Sequence, residues 1–387
     1  MQLSQQIVRL SPYKACGPDG IPNILLQKLA DLIEEYLIQI YQASICLKAY
    51  VEAWKEFTTI VLRKPGKPSY KVPKAYRPIV LLCTLAKVFT AIITENVMHM
   101  VEKCRLLPDN YYRGRPGRMT TDAVHVLVDK VKKAWRKGKV ASILFLDIEG
   151  EFPNAITDRL LHNLRKRQIP EAYIKVIQKI LEDQCTKLKF YDCISDTIHI
   201  DNGIGQGNPL SMILYIMYNA DLLEIANSPE EESLSFVDDT MVLAVANNFQ
   251  ETVKLISDFM NWEKGSFNWS LSHNSNYEIS KLAIAHFTRK RVASTNNCGQ
   301  STPLTYPKLE LRGKLIKVVT SYKYLGIHVD NQLFWSTQSH KAIARATAWM
   351  LLFQRLRRLS TGLSLKHMRQ LYLAVAVRAT ANDLVEI

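Results

Sequence analysis

In SLSFVDDTMVLA (residues 233–244) two aspartates, Asp238 and Asp239, stand side by side between two apolar runs. Leu234 and Phe236 on one side and Met241 to Ala244 on the other can bury as paired strands, which puts the carboxylates at the tip of a hairpin. Asp favours turns and solvates hairpin ends, and on this stretch alone that is the simpler role. Adjacent carboxylates repel, however, and the local sequence offers them no basic partner. A hard divalent cation with oxygen ligands would remove the repulsion. A third carboxylate, Asp147, closes the apolar run SILFLDI (142–148). A charge there marks either the point where a strand meets solvent or a ligand held rigidly at a sheet edge. If Asp147 and Asp238 lie on neighbouring strands, their carboxylates converge. The chemistry then open to them is that of two Mg²⁺ ions ~4 Å apart, which activate an attacking hydroxyl and stabilise a leaving pyrophosphate.

Two further groupings bear on chemistry. Gly203, Gly205 and Gly207 in GIGQGNPL let backbone approach another molecule, and Gln206 adds amide hydrogen bonds. The spacing differs from a dinucleotide-binding GxGxxG, and a lone GxGxG occurs in many loops. Lys64, Lys67, Lys71, Lys74 and Arg77 cluster before Arg113, Arg115 and Arg118, with Tyr70, Tyr76, Tyr111 and Tyr112 interleaved. A solvated charged loop would explain the cations alone. Cations beside stacking rings favour nucleic-acid contact.

These residues need elements to position them. VASILFLDI (140–148), almost wholly apolar with turn-like flanks, has the pattern of a strand buried on both faces. Residues 21–50 carry apolar positions at helical spacing, one or two helices' worth, and the spacing returns from Ile79 to Lys103. Residues 64–78, rich in Pro and Lys, read as extended or looped. A helix is predicted from a cap near Thr121 to a stop near Gly138, and another behind a Thr157 cap. Residues 187–201 suggest a strand pair, and Asn208–Pro209 reads as cap and first turn of the next helix. A helix follows from about Asn248 to Trp262, residues 293–303 read as a surface loop, and the chain is helical and basic after YKYLGIHVD. Alternating strands and helices with helical flanks give an α+β or α/β core.

The whole chain agrees with a polyanionic partner. Its 387 residues carry 50 Lys and Arg against 36 Asp and Glu, a net charge of +14. The seven cysteines are scattered, odd in number and without a Cys-x-x-Cys pair, which argues for free thiols in a reducing compartment. No apolar run approaches the ~18 residues of a membrane span, and the N-terminus lacks the apolar core of a secretory signal. The expected location is the nucleus and cytoplasm.

In order along the chain, AYRPIVLLCTLAKVF, RGRPGRMTTDA, LFLDIEGEFPNAITDRLLHNLRKRQIP, GIGQGNPLS, FVDD, NYEISKLAIAHF and YKYLGIHVDNQLFW follow the successive motifs of reverse transcriptases. In wording they are most similar to the polymerase region of non-LTR (LINE-type) retrotransposons, particularly fungal ones. The resemblance runs from KACGPDGIPN almost to the C-terminus. It implies an α+β right-hand fold of fingers, palm and thumb. On that basis residues 1–53 are expected as a helical extension, 54–328 as fingers and palm, and 329–387 as an incomplete helical thumb. It also implies RNA-directed DNA synthesis from a DNA 3′-hydroxyl, with an RNA template, deoxynucleoside triphosphates and two Mg²⁺ ions, Mn²⁺ being the alternative. Asp147, Asp238 and Asp239 become the metal carboxylates. The backbone at Ile148 is implied against the triphosphate, Phe152 against the sugar, Gln206 near the template–nucleotide pair and Lys281 near the phosphates. Arg77, Arg115 and Arg118 are implied as phosphate contacts.

The chain departs from the family at Val237, where Ala is usual, at Glu151 beside Phe152, where Ala is usual, and at Arg113, where Gly is frequent. A catalytically decayed remnant that only binds nucleic acid is therefore a second reading. An intron-encoded maturase is a third, disfavoured by YLGIHVD and by the lack of a Cys/His endonuclease cluster. Elements of this kind usually also carry an endonuclease, and some a ribonuclease H. No segment reads as either, so a fragment or truncated copy is expected.

Overall fold

The computed structural model describes residues 2–226, 228–236, 239–289, 306–356 and 362–377. Three helices lead: α1 (Gln2–Arg9), α2 (Asn23–Lys28) and α3 (Ala30–Leu47), the last two parting at Leu29. Then β1 (Glu56–Arg63) pairs antiparallel with β2 (Tyr76–Leu81). The stretch whose spacing predicts a helix from Ile79 thus begins as strand, and α4 (Thr84–Lys103) starts only after Cys83. A short apolar run such as Ile79–Leu82 satisfies either period, and here β1 supplies a ladder partner. α5 (Thr120–Arg136) opens one residue before the expected cap, with Asp122 accepting the Met119 N–H at 2.6 Å.

β3 (Val140–Asp147) is followed by α6 (Thr157–Lys166) and α7 (Glu171–Leu181). Thr157 is the first residue of α6, and its side chain makes no cap. β4 (Gln184–Phe190) and β5 (Cys193–Ile200) form the expected strand pair, and β4 runs parallel to β1, giving a sheet ordered β2-β1-β4-β5. After α8 (Ser211–Asn219) come β6 (Glu231–Phe236) and β7 (Asp239–Ala246). α9 (Phe249–Asn261) is capped by Asn248, whose side chain accepts the Glu251 N–H at 2.9 Å. α10 (Ser266–Ser272) and β8 (Ala283–Phe287) follow. The loop expected over 293–303 lies outside the described residues. Short strands then succeed one another: β9 (Glu310–Leu311), β10 (Lys314–Leu315), β11 (Lys317–Val319), β12 (Ser321–Tyr324) and β13 (Ile327–Asp330). Helices α11 (Ser336–Leu356) and α12 (Leu365–Leu371) complete an α+β chain.

The second sheet, ordered β11-β8-β3-β7-β6, positions the carboxylates. β3 is its centre and is buried along its length up to Asp147. Because side chains alternate across a sheet, Ile143 and Phe145 join one core with α5 and the β12–β13 hairpin, while Leu144 and Leu146 join another with Ile256, Phe259 and Met260 of α9. Two covered faces explain why the run is apolar without alternation. A third core gathers α1, α3, α4 and α6 to α8. Among the described residues no helix is long and apolar enough to cross a membrane, and Cys16, Cys46, Cys83, Cys104, Cys185 and Cys193 are free thiols.

Two buried histidines tie this core to pH. His286 sits 2.7 Å from Ser142 Oγ, and His273 stacks on Trp269. Burial pushes each from 6.5 down to about 4, so both stay neutral in the fold. The unfolded chain takes up those protons near pH 6.5, so their stabilisation is complete above that pH and is lost as pH falls towards 4. Denaturant unfolding should show a loss of roughly 2 kcal/mol per histidine between pH 7.5 and 5. His286→Gln should remove its share; a pH-independent midpoint would refute this.

Candidate active site

The register of the second sheet sets Asp147, the last residue of β3, directly opposite Asp239, the first residue of β7. Side chains so placed on antiparallel strands have Cβ atoms ~5 Å apart, and like charges there are destabilising unless a cation intervenes. On the other side of β7, Asp239 pairs with Phe236 of β6. Val237 and Asp238, which lie between them in sequence, are outside the described residues. Among the described residues no group of three or more His, Cys, Asp or Glu gathers at one point. The expected triad thus has two members with a defined geometry.

A cation already serves Asp147. Lys281, just before β8, places Nζ 2.9 Å from Asp147 Oδ2 and 2.7 Å from Glu278 Oε2. Partial burial would lower the Lys281 ammonium, but the hydrogen bonds it donates to Glu278 and Asp147 outweigh it and raise the group above the usual lysine range. The lysine and Asp147 side chains are 54% and 39% exposed, so the pair is screened and worth at most ~1 kcal/mol. Partly exposed oxygens around a cation could take a hard divalent ion in its place, and a pair this weak is easily exchanged. Backbone bonds brace the corner: the Glu278 N–H donates to the Asp147 carbonyl (3.0 Å) and the Glu149 N–H to the Asn276 carbonyl (2.8 Å). Ile148 bridges Tyr277 between them, its side chain buried in the core.

The strands β1 and β2 bring their cations to this corner. Burial, then neighbouring Arg77, Lys67 and Lys281, hold the Lys64 ammonium below its usual range, with Glu151 acting in the opposite direction. Lys74 reaches across to Glu149 at 2.7 Å. The extra charge at Glu151 therefore faces a basic cluster. Tyr322 of β12 stacks flat on Phe145, 3.9 Å between centroids, and burial, then Asp239 and Asp147, raise its phenol.

The glycine turn closes the corner against the chain's own backbone. The Gln206 carbonyl accepts the Val80 N–H of β2 at 2.7 Å, and the Gln206 side chain is half-buried. Gly207 has φ +120, and a Cβ there would lie 2.6 Å from the Val80 carbonyl oxygen; one on Gly203 (φ +107) would lie 2.7 Å from that of Pro153. The close approach that these glycines allow is thus intramolecular. Phe152 is half-buried, its ring 5.0 Å from that of Tyr215 and its carbonyl accepting the Ile204 N–H at 2.8 Å.

Residues 62–329, which contain every group just described, match the family described as "Reverse transcriptase (RNA-dependent DNA polymerase)". The chain belongs to that family. It is 27% identical over 341 residues to "Probable RNA-directed DNA polymerase from transposon BS" of Drosophila melanogaster, covering 86% of this chain and 36% of that protein. To the corresponding X-element protein of the same species it is 28% identical over 342 residues (87% and 35%), and to the "RNA-directed DNA polymerase from mobile element jockey" 25% over 341 (87% and 35%). This chain therefore spans about a third of the length of these relatives. Its fold is also similar to a structure of apo telomerase from Candida tropicalis truncated from the C-terminal domain (TM-score 0.48, 12% identity, 81% of this chain and 60% of that one).

The three arginines expected at phosphates part company in this chain. Arg77 is exposed on β2 among the basic cluster. Arg118 lies over the Tyr112 ring (5.4 Å) and donates to the Asp109 carbonyl. Arg115 is buried: Nε and Nη2 clamp Glu102 of α4 at 2.7 and 3.0 Å, and Nη1 donates to the Pro108 carbonyl. It is a strut between α4 and the RGRPGR turn, and the expectation of a phosphate contact there is corrected, because a guanidinium spent on a carboxylate has no free fork. Arg113 instead lies exposed over the Phe236 ring (5.5 Å), beside the carboxylate hairpin. Lys64 and Lys74, which the sequence marks as members of the basic cluster, gain a place at the site, and Tyr322 is a site residue that sequence reading did not single out.

Proposed function

We propose that the chain is the polymerase part of a non-LTR (LINE-type) retroelement, an RNA-directed DNA polymerase that extends a DNA 3′-hydroxyl on an RNA template. The observation that carries this reading is the register that faces Asp147 with Asp239 beside Lys281. These two carboxylates, with Asp238, would hold two Mg²⁺ ions, or Mn²⁺. When bound there, such ions would activate the 3′-hydroxyl and offset charge on the leaving pyrophosphate. The chain's own part is positioning. Lys64, Lys67, Arg77 and Lys281 form a cationic wall that attracts and orients a deoxynucleoside triphosphate. Gln206 and the backbone at Ile148 border the nucleotide, and Tyr322 supports the carboxylates from below. In this reading residues 1–53 extend the hand, 54–328 are fingers and palm, and 329–387 are thumb. A nuclear site of action follows from a DNA primer or target.

Primer extension on an RNA template with purified protein and Mg²⁺ tests the proposal. Template-complementary products support it. Binding of the primer–template without extension would favour the decayed remnant, for which Glu151 is the motive.

Phe152 carries a prediction about sugar choice. Held by Tyr215 on one side and half-exposed on the other, the ring can fill the space that a ribose 2′-hydroxyl would occupy and leave it without a hydrogen-bond partner. Phe152→Val should raise ribonucleotide over deoxynucleotide incorporation about tenfold, in line with a desolvation cost of ~1–3 kcal/mol. Single-nucleotide incorporation with matched triphosphates measures the ratio. An unchanged ratio in an active variant would return Phe152 to a packing role.

A further inference from the structure

The far end of the carboxylate-bearing sheet carries a second basic site. Lys132, Trp135 and Arg136 of α5, Lys139 before β3 and Arg289 after β8 line a concave pocket of about 440 Å³. Val140 and Asp147 are the two ends of β3, so at ~3.3 Å per residue the pocket lies roughly 20 Å or more from the carboxylates. Its position makes it separate from the polymerisation corner.

Three features of the pocket point to one kind of ligand. Its lining contains four cationic side chains and no carboxylate. The acidic groups of the neighbourhood are engaged elsewhere: Lys133 holds Asp129, which also feels Arg136, at 2.6 Å, and Lys130 holds Glu232 at 2.5 Å. Among the described residues Lys132, Arg136, Lys139 and Arg289 form no salt bridge, so their mutual repulsion is open to relief by an anion. The Arg289 guanidinium lies over the Trp135 ring at 4.8 Å, and the indole Nε1–H is shielded from solvent with no acceptor among the described residues. An aromatic wall with a stacked guanidinium suits a phosphate with a base attached. The volume falls in the ~300–1,000 Å³ range of small-ligand sites, which suits a splayed nucleotide and not the convex backbone of a duplex.

We propose that this pocket binds a nucleotide of a single-stranded nucleic acid running outside the polymerisation corner. That the strand is the RNA template rests on the polymerase reading; the pocket's affinity for a single strand does not. The test uses the full chain and a double variant, Arg136→Ala/Lys139→Ala, with a 20-nucleotide single-stranded RNA, the same sequence as DNA, and a short blunt primer–template. Removing two phosphate contacts should flatten the log–log salt slope for the single strand by about 1.4 and weaken binding about tenfold near 0.1 M salt. Trp135→Ala, which removes the aromatic wall, should weaken it about threefold. Extension of the short primer–template should be unchanged. Loss for RNA alone would identify the template as the strand, and equal loss for both would identify any single strand. Unchanged affinity and slope for both strands would overturn the proposal, as would lost extension with strand binding intact. If the double variant does not fold, Lys132→Glu at an exposed helix position replaces it with the same expectations. A parent that binds the strand through this pocket and never extends a primer would sink the polymerase reading and leave the pocket standing.

Discussion

Asp147→Ala, Asp238→Ala and Asp239→Ala are each expected to cut templated extension a thousandfold or more, while the fold survives. Loss of ~4 kcal/mol of transition-state stabilisation suffices for that factor, and each substitution removes a full charge from the ion-binding set. The structure explains why stability should not follow activity. Asp147 and Asp239 face each other as like charges across the β3–β7 ladder, so deleting either relieves repulsion. Lys281 keeps Glu278 at 2.7 Å when Asp147 is gone, so no buried charge is stranded. The inclusion of Asp238 rests on its place in sequence between Phe236 and Asp239 and on the family motif. Extension assays beside denaturant midpoints separate the two effects. Parent-like extension by any of the three would remove that residue from the metal set.

Gly207→Ala is expected to destabilise the protein by about 3 kcal/mol. The cost has two parts. The backbone at φ +120 is strained for any L side chain, and the new Cβ would meet the Val80 carbonyl oxygen at 2.6 Å. That carbonyl belongs to β2, which is also held there by its N–H on Gln206, so it has little room to retreat. Gly66→Ala, where nothing lies within 4 Å, serves as the control and should cost only ~1 kcal/mol of backbone strain. Urea unfolding of the two variants checks the difference. Equal midpoints would show that the turn moves away freely and that the glycines are kept for some purpose other than this contact.

What was legible in the sequence and what was not divides along a physical line. β3, the β6–β7 hairpin and the Asn248-capped helix could be read because their signals are local: unbroken apolarity, two turn-forming residues between apolar runs, a cap before a periodic segment. β1 and β2 could not: they pair with each other, but the connection between them is rich in Pro and Lys, and the apolar run at Ile79–Leu82 fits a helical period as well as a strand. The roles of single residues failed in the same way. Arg115 sits in a turn whose wording suggests solvent, yet Glu102 on α4 decides its fate. Lys74 and Tyr322 become site residues only through contacts to Glu149 and Phe145. The glycines were rightly read as allowing close approach, but the approached group is Val80 or Pro153 of the same chain.

The most direct measurement is single-turnover addition of one deoxynucleotide to a DNA primer annealed to RNA, titrated with Mg²⁺, for the parent and for Asp239→Asn. This substitution keeps the shape of the side chain facing Asp147 and deletes its charge. The parent should add the template-complementary nucleotide with a rate that rises with Mg²⁺ and is abolished by chelation. The Asn variant should bind the primer–template equally well and add it at least a thousandfold more slowly, as expected from ~4 kcal/mol of lost stabilisation. Equal rates in parent and variant, or a parent that binds the duplex and adds nothing in either Mg²⁺ or Mn²⁺, would contradict a metal-dependent polymerase centre at Asp147 and Asp239.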